Sequence, residues 1–216
     1  MVVCCWSAKG GAGTTVVASA LALLLARRSR DGAVIVDLAG DVPAALGVPD
    51  DAPAGVSDWL TIGEHVPADG LARLERPAGG GLAIVPRGRG SLVEARAHAL
   101  VALLATDHRP VVIDAGVIDG PGVPATLAAS APTSLLVTRP CFLSLRRALS
   151  VPVRPSGVVL VVEDGRALAA ADVEGALGVP VCAQVLVTPQ VARAVDAGIL
   201  PSRLPRSLER ELRDVA

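Results

Sequence analysis

The chain has 216 residues, a length that one compact domain with a sizeable core accommodates, so residues 1–216 are expected to form a single domain. Apolar residues make up 51% of it, and 20 basic residues are balanced by 21 acidic ones, which excludes a general electrostatic drive toward nucleic acid or anionic lipid. The longest apolar stretch, 16–26, is broken by Ser19 and falls well short of the roughly 20 residues that a spanning helix needs; with no charged segment ahead of it to suggest a signal peptide, a cytoplasmic location is expected, with membrane contact peripheral at most.

In chain order, aliphatic and β-branched runs alternate with helical patterns. A strand at 2–6 runs into a glycine-rich loop at 7–13 and a helix at 14–28, and a second strand follows at 33–37. Residues 41–74 carry turn formers and short apolar clusters, the pattern of small helices. After a Pro/Gly break at 77–81 come a strand at 82–85, a helix at 91–106 and a strand at 111–114. A second break at 120–124 precedes a strand at 134–138 and a helix at 142–150. A third, at 152–157, leads to strand 157–162, helix 169–177, strand 181–187 and helix 189–197. Such alternation implies an α/β fold: a doubly wound, mainly parallel sheet of about seven strands with helices on both faces. The high apolar fraction agrees, because strands covered on both faces are apolar along their whole length.

The loop Lys9-Gly10-Gly11-Ala12-Gly13-Thr14-Thr15 lies directly between a strand and a helix, and that context makes it informative. Glycines at 10, 11 and 13 let the backbone turn its N–H groups inward and approach an anion closely, while the helix starting at Thr14 aims the positive end of its dipole at the same point. A bare turn would account for one or two glycines; three, with a lysine and a Thr-Thr pair, point to a nucleotide phosphate. Lys9 is the only lysine of the chain, and its slim ammonium serves differently from the planar guanidinium of the arginines.

Elsewhere the residues read as structural. Cys4, Cys5, Cys141 and Cys182 lack metal-ligand or redox spacing and are expected to be buried thiols. His65, His98 and His108 show no ligand spacing and read as surface residues, and Trp6 and Trp59 as packing. Arg139, Arg146, Arg147 and Arg154 would make at most a local basic patch; without interleaved aromatics they read as a solvated face, so DNA is not an expected partner. Residues 205–216 place Leu208, Leu212 and Val215 on one helical face, where balanced charge and the lack of bulky aromatics favour packing on the domain over membrane contact.

The loop resembles the deviant Walker A motif of the MinD/ParA family, K-G-G-x-G-K-[ST]: Lys9, Gly10, Gly11, Gly13 and Thr15 match, and Thr14 stands where the second lysine belongs. The resemblance extends over nearly the whole chain. Residues 34–37 are similar to the strand that ends in the switch I aspartate, and 111–114 to the Walker B strand; 135–140 followed by 144–146 resemble a stretch reading L-V-T-x-P and then S-L-R. Residues 177–181, with 188–197 after them, resemble the last strand and the adenine-side loop. Within the family, the G-T-T of the loop and Gly40-Asp41-Val42 followed by Leu46-Gly47 most resemble the CpaE/TadZ group of Flp pilus assembly, over its ATPase portion.

The resemblance implies ATP or ADP with magnesium as ligands. It puts Lys9, Gly10, Gly11, Ala12, Gly13, Thr14 and Thr15 around the nucleotide, Thr15, Asp37 and Asp114 at the metal, and Lys9, Asp37, Asp41 and Asp114 in catalysis. Lys9 would be the signature lysine that reaches a partner subunit's phosphates, so a nucleotide-dependent homodimer is implied, acting with a protein partner of a pilus or division machine. Two supports of hydrolysis are absent. Thr14 cannot supply the charge of the second lysine, and the D-x-D of switch I reads Asp37-Leu38-Ala39, for which Asp41 substitutes only in a rearranged loop. Glu163-Asp164-Gly165 stands where relatives carry an adenine-reading asparagine. Three readings stay open: a dimer switch with slow hydrolysis, a non-hydrolysing scaffold, and a chromosome or plasmid partitioning protein.

Overall fold

The computed structural model describes residues 1–49, 54–61 and 69–216. The chain runs through β1 (Val2–Ser7), α1 (Thr14–Arg28), β2 (Ala33–Asp37), α2 (Val42–Leu46), α3 (Val56–Thr61), β3 (Arg76–Gly79), β4 (Leu82–Val85) and α4 (Ala97–Ala105). It continues with β5 (Val111–Val117), α5 (Val123–Ser130), β6 (Thr133–Thr138), α6 (Phe142–Ser150), β7 (Gly157–Val162), α7 (Ala170–Leu177), β8 (Val181–Leu186), α8 (Pro189–Asp196) and α9 (Arg206–Glu211). The strands form one sheet in the order β3-β4-β2-β5-β1-β6-β7-β8, parallel throughout except for the β3–β4 pair.

Among the described residues the sheet has eight strands where the sequence pattern predicts about seven. The extra one, β3, contains Pro77 and Gly79 and therefore reads as a break; at the sheet edge a proline costs no ladder bond on its free side. Likewise α5 begins inside the predicted break at 120–124, because Pro124 sits in the first turn, where it starts a helix instead of stopping one. The helix predicted at 91–106 is regular only over Ala97–Ala105, after a single 3-10 turn at Glu94–Arg96. The small helices expected in 41–74 are α2 and α3, with a 3-10 turn at Ala72–Leu74. The expectation for His65 falls outside the described residues.

Alternation along each strand divides the core in two. Val3 and Cys5 of β1 face the layer of α1, α2, α8 and α9, while Val2, Cys4 and Trp6 face the layer of α3, α4, α5, α6 and α7. Helix α1 buries Leu21, Leu23 and Leu24 along with its small residues, which accounts for its nearly continuous apolar run. Leu208 and Leu212 are fully buried, so the C-terminal apolar face packs inward. Of the four cysteines only Cys4 and Cys5 meet the expectation of burial; Cys141 is half-buried and Cys182 exposed. Among the described residues no helix is long and apolar enough to cross a membrane. From β1 the chain leaves toward β2 on one side, and from β5 it returns past β1 to β6 on the other. Connections therefore diverge around the carboxyl ends of β1 and β5, the place where doubly wound sheets open a crevice.

Candidate functional site

That crevice is a cavity of about 530 Å³, walled on one side by residues 10–16 and on the other by Leu38, Ala39, Asp41 and Arg87, with Ser7 and Gly116 among the residues at the strand ends. Gly13 makes the loop wall possible. It takes φ 93°, which a side chain would strain, and it caps α1 without any side-chain hydrogen bond. The first backbone bond of the helix is Val17 N–H to Gly13 C=O at 3.0 Å, so the N–H groups of Thr14, Thr15 and Val16 are left to the loop. A Cβ built on Gly10 or Gly11 would meet nothing within 4 Å, so the loop turns bare backbone outward. The arrangement is an anion cradle made of peptide groups.

The carboxylates follow from register. Asp37 at the end of β2 pairs with Asp114 on β5, and Asp114 pairs with Cys5 on β1, which puts all three on the α1 face. Both aspartates are fully buried. Asp37 Oδ1 accepts the backbone N–H groups of Ala39 (2.9 Å) and Gly40 (2.7 Å), and its Oδ2 accepts that of Val42 (3.2 Å). Burial pushes the Asp37 carboxyl up to about 7; the Gly40, Val42 and Ala39 donors pull it back, and the neighbouring Asp114 adds to the rise. Asp114 is also raised, by burial first, with the Thr15 hydroxyl and the Gly116 N–H opposing and Asp41 adding to it. Gly116 N–H donates to Asp114 Oδ1 at 3.1 Å. The Thr15 hydroxyl faces the same carboxylate without completing a bond of normal geometry, and Oδ2 has no hydrogen-bond partner. A buried, unpartnered carboxylate oxygen opposite a threonine hydroxyl suits a hydrated magnesium ion, which prefers one or two protein oxygens plus phosphate and water. Thr15 and Asp114 thus fit the metal, and Asp37 stands beside Asp114 in register, its oxygens accepting the N–H groups of residues 39, 40 and 42. Among the described residues no group of three or more His, Cys, Asp or Glu side chains is placed to hold a metal by itself.

Of the other residues singled out in the sequence, Ala12 and Thr14 line the cavity, and Asp41 reaches it as the N-cap of α2. Ala39 lines it too. Lys9 is half-buried and is not part of the wall; its charge is felt instead at Cys141, whose thiol is drawn down first by the Ser144 hydroxyl and, among smaller effects, by Lys9. A second, apolar cavity of about 200 Å³ shares Gly13 and Val16 with the first and is closed by Val185, Val187 and Val191 from the end of β8 and from α8. Arg139 lines it and pairs with Glu163, which also holds Arg166. Of the two charged wall residues, Asp41 and Arg87, the second escapes the sequence pattern altogether. Arg87 belongs to no motif, and its only signal is its place two residues beyond a strand end on the crevice side.

Neither a protein-family model nor a curated protein matches the chain. Among solved structures it is similar to a ParA family ATPase from Chlorobium tepidum TLS, with a TM-score of 0.79 and 17% identity over 99% of this chain and 97% of that one. It is similar also to the MinD cell division protein of Aquifex aeolicus (TM-score 0.78, 17% identity, 99% and 95% covered). A third is the septum site-determining protein MinD of Pyrococcus horikoshii OT3, complexed with Mg-ADP (TM-score 0.73, 19% identity, 97% and 92% covered). At such identities the likeness establishes the fold: this chain has the mostly parallel α/β sheet of the MinD/ParA P-loop ATPases.

Proposed function

We propose that the chain is a MinD/ParA-like nucleotide-binding protein, taking ATP or ADP with magnesium and acting as an ATP-dependent homodimer switch with slow hydrolysis. The observation that carries this reading is the peptide cradle facing the unpartnered Asp114 Oδ2 and the Thr15 hydroxyl across one cavity. The adjoining apolar cavity at Val16 has room for a base, and a structural neighbour of the same fold was solved with Mg-ADP. Lys9, Gly10, Gly11, Ala12, Gly13, Thr14 and Thr15 bind the nucleotide, Thr15, Asp37 and Asp114 make the magnesium side of the site, and Asp37 also sets the switch loop. Hydrolysis is slow because Ala39 offers no carboxylate to orient water, and among the described residues Asp41 is the one carboxylate in the cavity wall. Lys9 lies outside its own cavity wall, which supports a role across a dimer. The CpaE/TadZ-like loop residues favour a machine of pilus assembly over one of cell division, and residues 1–216 serve as one domain. The test is sedimentation of the parent and Lys9→Ala with and without ATP and magnesium. The parent is expected to dimerise only with nucleotide, and Lys9→Ala to lose that dimer while keeping its thermal midpoint, since loop surface changes cost about 0.5 kcal/mol or less. A parent whose sedimentation nucleotide does not change overturns the dimer switch and leaves a scaffold, and a Lys9→Ala protein that dimerises like the parent overturns the role of Lys9.

A further inference from the structure

We propose that Arg87 is a phosphate-binding residue which supplies, from the wall opposite the glycine loop, the positive charge that Thr14 leaves out, and that it recognises the terminal phosphate of a nucleoside triphosphate. The proposal rests on the nucleotide reading above and assigns a specificity-determining residue in the same site. Among the described residues Arg87 is the one cationic side chain in the cavity wall. Asp41 shares the wall with it, and Asp37 and Asp114 stand at the strand ends in register with each other, so a polyphosphate entering the cavity gains from a fixed cation beyond the peptide cradle and magnesium.

The arginine is held for that purpose. Its Nε donates to the Leu38 carbonyl at 3.2 Å, and its Nη1 donates to the carbonyls of Gly88 (3.3 Å) and Gly90 (3.2 Å). Nη2 donates to no described group, and no described carboxylate lies within ion-pair distance of the guanidinium. The backbone beneath it is anchored to α3: Val56 N–H donates to Pro86 C=O and Ser57 N–H to Arg87 C=O, both at 2.9 Å, while Gly90 N–H donates to Ser57 Oγ at 3.0 Å. Its Cδ runs alongside Gly40, 3.5 Å from where a Cβ on that residue would stand. A guanidinium fixed by neutral carbonyls keeps its charge and a free edge for an anion. Because its neighbours are Leu38 and Gly40 of the switch loop, it faces the outer end of a bound polyphosphate, and a phosphate caught there also bears on the loop that Asp37 shapes.

The test is calorimetric titration of the full chain with a non-hydrolysable ATP analogue and with ADP, each with magnesium, for the parent, Arg87→Ala, Arg87→Lys and Arg87→Ala with Thr14→Lys. Loss of one charged contact predicts that Arg87→Ala weakens the triphosphate about tenfold or more and the diphosphate about threefold or less. Arg87→Lys falls between, and Thr14→Lys restores triphosphate binding in the Ala background. A thermal midpoint near the parent's accompanies these results. If Arg87→Ala fails to fold, Arg87→Gln, which keeps a donor for the Leu38 carbonyl and removes the charge, carries the same expectation. Equal losses for both nucleotides, or no loss, overturn the assignment of Arg87 and leave the nucleotide reading standing; a parent chain that binds neither nucleotide overturns both.

Discussion

Asp37 shows how one residue serves structure and sets a pH response at once. It is fully buried, shares its register position with Asp114, and gathers three backbone N–H groups. Its carboxyl is pushed up to about 7 from an ordinary 3.8, with burial the main cause. A carboxyl with a raised folded-state pKa binds more protons in the native state than in the unfolded one between those values. Its contribution to stability is therefore complete below the unfolded value and is lost as pH rises toward about 7. We expect the stability of the nucleotide-free protein to fall between pH 4.5 and 7 by at most about 1.4 kcal/mol per pH unit on this account. Asp37→Asn should flatten that slope, as read by denaturant melts across the range; an unchanged slope would show that another group carries it. The sequence disclosed the residues that belong to a contiguous pattern, Lys9 to Thr15, and the two strand-end aspartates. Arg87 was not legible, because its relation to Leu38 is made by sheet order, with β4 laid beside β2, across 49 positions of the chain.

At the scale of elements, helix α2 is locked to α8 by two glycines. A Cβ on Gly47 would fall 2.1 Å from the Gly198 carbonyl oxygen, and one on Gly198 would fall 2.6 Å from Gly47 Cα. Both glycines also take positive φ. Gly198→Ala is therefore expected to destabilise the chain by about 2 kcal/mol or more, through strain and through separation of α2 from α8. Gly175 is the control: it lies within α7, and an added Cβ meets nothing within 4 Å, so Gly175→Ala should stabilise by about 0.5–1 kcal/mol. Thermal melts of the two variants decide, and equal shifts would contradict the close-approach account. The long apolar elements were legible for the same reason that they are stable, since α1 and the central strands bury nearly every side chain. The elements missed, β3 and α5, are those whose prolines and glycines have a use set by position: an edge strand in one case and a first helical turn in the other.

For the whole molecule, two cores clamp a sheet whose central strands end together, and everything proposed for the chain depends on what occupies the crevice that results. The most direct measurement is calorimetric titration of ATP into the full chain with and without magnesium, for the parent and for Thr15→Ala. Thr15→Ala removes the hydroxyl that faces Asp114 and leaves the glycine backbone in place. The account predicts binding that magnesium strengthens in the parent, and a loss of about tenfold or more of that magnesium-dependent part in Thr15→Ala. No heat and no thermal shift in the parent at millimolar nucleotide, with or without magnesium, would contradict it.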